Sequence, residues 1–95
     1  LVTFSVKPTY PATGFGYVER GPALTGSAGP AFRVERFVEK PSAERAQAYV
    51  ESGAFGWNAG MFVWSAATFL DCLRRYKPDS FEGLTRIQRA WNTPD

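Results

Sequence analysis

Three short stretches of the sequence combine side chains and backbone shapes suited to holding a ligand: Thr13-Gly14-Phe15-Gly16-Tyr17, Glu39-Lys40-Pro41 and Trp57-Asn58-Ala59-Gly60. Glu39 offers two acceptor oxygens that can fix a pair of sugar hydroxyls, and Lys40 offers a point charge for a phosphate. Asn58 both donates and accepts, so it too suits hydroxyls. Gly14 and Gly16 lack a Cβ and let backbone N–H groups come close to a ligand. Acceptors, a cation and bare backbone together describe a site for a neutral polar ligand that bears a phosphate.

Each stretch also has a purely structural use. A glycine pair between two strands commonly makes a turn. Glu39 and Lys40 equally suit a solvated pair closing a strand. Asn58-Ala59-Gly60 equally suits a turn beside a gap-filling Trp57. Residue types alone leave these alternatives open.

The elements that must position these residues follow from apolar period and punctuation. Leu1 to Val6 alternates Val2, Phe4 and Val6, the period of a strand with one buried face, and Lys7-Pro8 ends it. Pro8 to Gly16 holds two prolines and two glycines and reads as a shaped loop. Tyr17 to Arg20 predicts a short strand, with GPALTGSAGP after it as an exposed linker. Ala31 to Val38 predicts the clearest strand, burying Phe32, Val34 and Val38. Glu39, Lys40 and Pro41 then stand at its carboxyl end, where ligands bind in open α/β sheets.

Ser42 predicts the N-cap of a helix over Ala43 to Ser52, with Ala46, Tyr49 and Val50 on its apolar face and Gly53 as its stop. Phe55 to Asn58 predicts a turn, and Met61 to Trp64 a strand covered on both faces. Ser65 caps a further helix carrying Phe69, Leu70, Leu73 and Tyr76 and ending before Pro78. Asp79 or Ser80 caps the last, with Phe81, Leu84, Ile87 and Trp91 on one stripe. The order implies an α/β layer, and strands this apolar need more neighbours than so short a chain supplies.

Composition narrows the function classes. The chain has 95 residues, of which 44% are apolar and 21% charged, as in one globular domain and unlike a disordered tail. No apolar run approaches the ~20 residues of a membrane-spanning helix. Eleven basic and nine acidic residues are dispersed, which argues against nucleic acid as a partner. Arg74, Arg75 and Lys77 fall where a helix ends and complement its dipole. A single cysteine, Cys72, and no histidine exclude an internal disulfide, a Cys/His metal cluster and a His-based triad. Such cysteine usage fits a reducing cytoplasm.

The segments PTYPATGFGYVERG, FRVERFVEKP and GWNAGMFVW, in that order, resemble the central part of the sugar-phosphate nucleotidyltransferases, most of all the mannose-1-phosphate guanylyltransferases. The likeness covers nearly the whole chain. FxEKP alone is shared across several sugar nucleotidyltransferases; PxxPxTGxGY together with FVEKP and WNxGMF is far more specific. The resemblance implies a Rossmann-like α/β nucleotidyltransferase domain with a mixed, mostly parallel sheet. The activity it implies joins GTP and mannose 1-phosphate to give GDP-mannose and pyrophosphate, in the cytoplasm.

Carried over position by position, the resemblance places Gly14, Gly16, Tyr17 and Gly60 among the substrate-binding residues, the backbone around Gly16 lying against the sugar. It places Glu39 on the sugar hydroxyls, Asn58 on another hydroxyl, and Lys40 on the phosphate as the catalytic cation. Ser5 stands where the family usually has Gly, Phe15 where it has Tyr, Ala59 where it has Ser and Trp64 where it has Phe; these differences bear on substrate preference.

The family's glycine-rich nucleotide loop, of the form GxGxRxxP, has no counterpart in this sequence, and Asp71, Asp79 and Asp95 match neither of its two metal-binding aspartates. The expectation is therefore that residues 1–95 are the central, sugar-phosphate-binding portion of the domain, inactive alone. The N-terminal nucleotide-binding part, the C-terminal part and the ligands of Mg²⁺ are expected outside it. The implied partners are GTP and mannose 1-phosphate, without nucleic acid or membrane, and a homo-oligomer is left open. Other readings are an enzyme for another sugar 1-phosphate, a bifunctional guanylyltransferase/isomerase, a non-catalytic regulatory homologue that binds sugar nucleotide, and a purely structural module.

Overall fold

A computed structural model describes residues 1–94; Asp95 lies outside the described residues. Among the described residues the chain forms β1 (Val2–Val6), β2 (Gly16–Ala23), β3 (Phe32–Glu39), α1 (Ala43–Ser52), β4 (Phe55–Val63), α2 (Ala66–Tyr76) and α3 (Pro78–Ala90). The strands make a four-stranded sheet in the order β1-β4-β2-β3. Two units divide the chain, one over Thr3–Met61 and one comprising Leu1–Val2 with the residues from Phe62 onward.

The α/β class holds, but the described pairings of β2 with β3 and with β4 are both antiparallel, where a mostly parallel sheet was expected. The cause is the connection after β2: eight residues suffice for a hairpin return, whereas a parallel neighbour needs a crossover of a dozen or more. β3 and β4, each antiparallel to β2, run in the same direction on its two sides. The crossover through α1 that joins them is the part of the parallel expectation that the fold retains.

Within the first unit, α1 begins and ends as its punctuation predicts. The Ser42 hydroxyl accepts the Arg45 N–H at 3.3 Å, and Gly53, at φ 71°, donates its N–H to the Val50 carbonyl. Its apolar face buries Ala46 and Tyr49, with Val50 half-buried, against Tyr17 and Phe55. Tyr49 and Phe55 stack with ring centroids 4.0 Å apart, and the Arg36 guanidinium lies over both rings while pairing with Glu19 at 3.0 Å. Aromatic contacts of this kind add about 0.5–1.5 kcal/mol beyond burial.

Three sequence expectations change here. Phe55 to Asn58 is the first half of β4 and not a turn, with Phe55, Gly56 and Trp57 in register with Glu19, Val18 and Tyr17. Gly56 is required by close approach: a Cβ there would overlap the Ser5 hydroxyl of β1. β2 continues past Arg20 to Ala23 because bulges between Glu19 and Ala23 absorb Gly21 and Pro22, where Pro is tolerated. Phe32 and Val34, expected to be buried, are 40% and 54% exposed, because β3 is an edge strand and α1 covers only the end carrying Val38.

In the second unit, Ser65 caps α2 by accepting the Thr68 N–H at 3.1 Å, and Trp64 stacks on Phe69 with centroids 5.0 Å apart. Arg74 and Arg75 occupy its last turn as expected. α3 starts two or three residues earlier than the sequence suggests. Lys77, not Asp79 or Ser80, is the N-cap, and Pro78 takes the first helical position, where its missing N–H has no partner to lose. Cys72 is an exposed thiol on α2. None of the described helices is long and apolar enough to cross a membrane.

Candidate functional site

The pleat of the sheet separates packing from chemistry. Tyr17 pairs with Val38 on one side and Trp57 on the other, and these three side chains share the face that packs with α1. Neighbouring rows point to the opposite face. Gly16 pairs with Glu39, and the β2–β4 register carried one residue further brings Asn58 level with Gly16. Glu39, Gly16 and Asn58 thus form one row across β3, β2 and β4. Two strand spacings separate the Cα atoms of Glu39 and Asn58 by about 9–10 Å.

Gly16 is the floor of that row, and any larger residue there would displace its neighbours. A Cβ there would stand 2.8 Å from Phe37 Cζ and 2.9 Å from Glu39 Oε2, closer than atoms of these kinds pack. The Glu39 carboxylate therefore lies against the backbone of Gly16, with acceptor oxygens only. Gly14 differs: a Cβ on it would meet no other atom within 4 Å, so packing in this chain does not demand glycine there.

Lys40 follows Glu39 with φ 45°, in the left-handed region that costs a non-glycine residue about 1–3 kcal/mol. The conformation is held from both sides. The Lys40 N–H donates to the Phe15 carbonyl at 3.2 Å, tying the glycine loop to the strand end, and the next residue, Pro41, is buried. Strain concentrated on an exposed cation is the kind of outlier found at ligand sites. The N-terminus of α1 opens three residues later and adds its partial positive charge to the same segment.

Asn58 is half-buried and its carboxamide is anchored at one end. Oδ1 accepts from the Gly60 N–H at 3.2 Å and from the Thr3 hydroxyl at 2.9 Å. Gly60 has φ 75° and turns the strand so that its N–H reaches back. The expected dual donor and acceptor is thereby a donor: among the described residues Nδ2 has no partner.

Tyr17 was expected to touch substrate. The structure buries it completely, 0% exposed, with its hydroxyl donating to the Ala12 carbonyl at 2.7 Å. Its side chain is occupied in pinning the proline-rich loop to the core. Tyr10 and Phe15 of that loop meet Trp57 edge-on, with centroids 5.1 and 5.0 Å away, so three aromatic rings fix the loop beside the row. The sequence reading missed Thr3; its only signal was a polar residue on the second face of an alternating strand.

The structure thus sets Gly16, Glu39 and Asn58 in one row, with Lys40 following Glu39 at its end and Gly60 acting through Asn58, and it packs the Tyr17 side chain into the core. No three Asp, Glu, Cys or His side chains gather as a metal-holding group among the described residues.

Known proteins share this chain throughout. The family profile described as nucleotidyl transferase matches residues 1–92. A mannose-1-phosphate guanylyltransferase of Klebsiella pneumoniae is 48% identical over 95 residues, covering 100% of this chain and 20% of the relative. The mannose-1-phosphate guanylyltransferase ManC of Salmonella typhimurium is 49% identical, covering 95% of this chain and 19% of the relative. The chain spans about a fifth of the length of these curated relatives. Among solved structures, a "mannose-1-phosphate geranyltransferase" from Thermus thermophilus superposes with TM-score 0.79 at 36% identity, over 90% of this chain and 24% of that one. A "mannose-6-phosphate isomerase" from Helicobacter pylori gives TM-score 0.70 at 37% identity, over 93% of this chain and 31% of that one. Sequence match from end to end and superposition of the sheet agree, and the chain belongs to the nucleotidyl transferase family.

Proposed function

We propose that the polypeptide carrying this chain is a cytoplasmic mannose-1-phosphate guanylyltransferase, converting GTP and mannose 1-phosphate to GDP-mannose and pyrophosphate. Residues 1–95 are the central portion of its catalytic domain and hold the sugar phosphate. The observation that carries this reading is the row of Glu39, Gly16 and Asn58 with the strained Lys40 at its end, in a chain close to half identical to enzymes of that name.

An acceptor on β3 and a donor on β4, with Gly16 and no Cβ between them, suit hydroxyls of a hexose ring. In the proposed reaction an oxygen of the sugar phosphate attacks the α-phosphorus of GTP in line. The new P–O bond forms as the bond to the β-phosphate oxygen breaks, and pyrophosphate leaves with that electron pair. Lys40 neutralises the sugar phosphate as it approaches the anionic nucleotide, while Glu39 and Asn58 set its orientation. Gly14, open to solvent, leaves the loop backbone accessible beside the sugar. The Mg²⁺ of the proposal does not fit the described residues, which form no metal-holding group, and no step here passes through it.

Replacing Lys40 by Ala in the full-length protein is expected to lower kcat/KM at least ~100-fold, the scale of losing a preorganised charge contact. Unchanged activity overturns the assignment. Parallel assays with mannose and glucose 1-phosphates test the sugar, with mannose expected to be preferred. The Helicobacter pylori neighbour favours a second reading, in which the full-length protein also interconverts mannose 6-phosphate with its ketose isomer. An isomerase assay on the same preparation decides it.

A further inference from the structure

We infer that Thr3, on the strand at the opposite edge of the sheet from Lys40, is a positioning residue for Asn58 and makes that side chain a dedicated hydrogen-bond donor to the sugar. The inference rests on the proposed reading of Asn58 as a sugar contact.

The Gly60 N–H can only donate, and it faces the Asn58 carboxamide at 3.2 Å, so the atom there is the oxygen. The Thr3 hydroxyl stands 2.9 Å from the same oxygen and 3.2 Å from the Met61 carbonyl, with one proton for the two. Given to Met61, it would leave oxygen lone pairs of Thr3 facing the carboxamide oxygen. Given to Asn58, it completes the two acceptor sites of Oδ1. Rotating the carboxamide by half a turn would set Nδ2 against the Gly60 N–H and break both bonds. Thr3 and Gly60 together leave the two Nδ2 protons as what Asn58 offers.

The row then reads, strand by strand, as hydroxyl, donor, bare backbone and acceptor: Thr3, Asn58, Gly16, Glu39. A hydroxyl on the Asn58 side must present lone pairs, and one on the Glu39 side must give its proton. Thr3 contributes to this polarity without touching the ligand.

The test uses Thr3→Val, Thr3→Ser and Asn58→Ala in the full-length enzyme, with KM for mannose 1-phosphate, kcat and Tm measured for each. Thr3→Val, nearly isosteric, is expected to raise KM about threefold to tenfold, the size of one neutral hydrogen bond, with kcat within about twofold. Thr3→Ser keeps the hydroxyl and should restore KM. The double variant Thr3→Val/Asn58→Ala should be no worse than Asn58→Ala alone, because the hydroxyl acts only through the amide. An unchanged KM in Thr3→Val, failure of Thr3→Ser to restore it, or additive losses in the double variant overturns the inference. If Thr3→Val does not fold, Thr3→Ala carries the same comparison. A normal KM in Asn58→Ala overturns the reading of the site itself; a raised KM there beside a normal Thr3→Val overturns only the positioning role.

Discussion

Gly16→Ala is the substitution that most directly separates the two faces of the sheet. The added methyl would stand 2.8 Å from Phe37 Cζ and 2.9 Å from Glu39 Oε2, so each must retreat by roughly half an ångström or more to reach ordinary contact. Phe37 is 47% exposed and its ring can swing outward, which holds the stability loss to about 1 kcal/mol, the low end for overpacking. The Glu39 carboxylate has to leave the backbone it rests on, and the hydrogen bonds to sugar hydroxyls that the proposed function gives it go with it. Bonds to a charged acceptor contribute about 1.5–3 kcal/mol, and tenfold corresponds to about 1.4 kcal/mol, so KM for mannose 1-phosphate should rise about 10- to 100-fold. The assay is steady-state kinetics of the full-length enzyme with the sugar phosphate varied at saturating GTP, beside thermal melts of the same samples. In a Glu39→Ala background the same change should add little. A folded Gly16→Ala enzyme with unchanged KM, or an equal penalty in the Glu39→Ala background, refutes the reasoning.

Other outcomes follow from single contacts. Lys40→Gly should be more stable than Lys40→Ala by about 1 kcal/mol in urea unfolding, because glycine meets φ 45° without a Cβ penalty, while both lose the same activity. Tyr17→Phe strands the buried Ala12 carbonyl and should cost about 1–3 kcal/mol, seen as a lower Tm and faster proteolysis within residues 8–16. Ser42→Ala and Ser65→Ala each remove a side-chain cap and should cost about 1 kcal/mol apiece by denaturant titration, with kcat/KM for Ser65→Ala unchanged.

What could be read from the sequence depended on whether the deciding contact was local. The limits of α1 and the start of α2 were legible because Ser42, Gly53 and Ser65 act on residues three positions away. Glu39 and Lys40 were legible as candidate residues at a strand end because they close an apolar strand before a proline. β4 was cut in half because Gly56 resembles a turn residue until Ser5, far away along the chain, is seen against it. Thr3 was invisible for the same reason, its partner lying 55 residues away. The end of β2 was hidden by Gly21-Pro22, which breaks a regular strand and fits a bulged one. Tyr17 came to the site through resemblance alone, and the burial of its side chain with its hydroxyl on the Ala12 carbonyl has no sequence signal. The left-handed backbone of Lys40 depends on the Phe15 carbonyl, 25 positions earlier, and has no sequence signal.

The two register shifts between β2 and β3 lie on one side of Glu19, and the paired row of Gly16 and Glu39 lies on the other. Between them the ladder from Gly16 to Glu19 is unbroken, so the irregularity is confined to the hairpin half. The bulges act as an expansion joint. Lengthening or shortening the connection from Leu24 to Ala31 changes the strand phase on the far side of the joint, and the pleat that sends Glu39 to one face and Val38 to the other keeps its count. Grafted loops at that tip, a tag or a reporter among them, should therefore leave the ligand row in place, whereas one residue inserted between Gly16 and Glu19 would exchange the two faces.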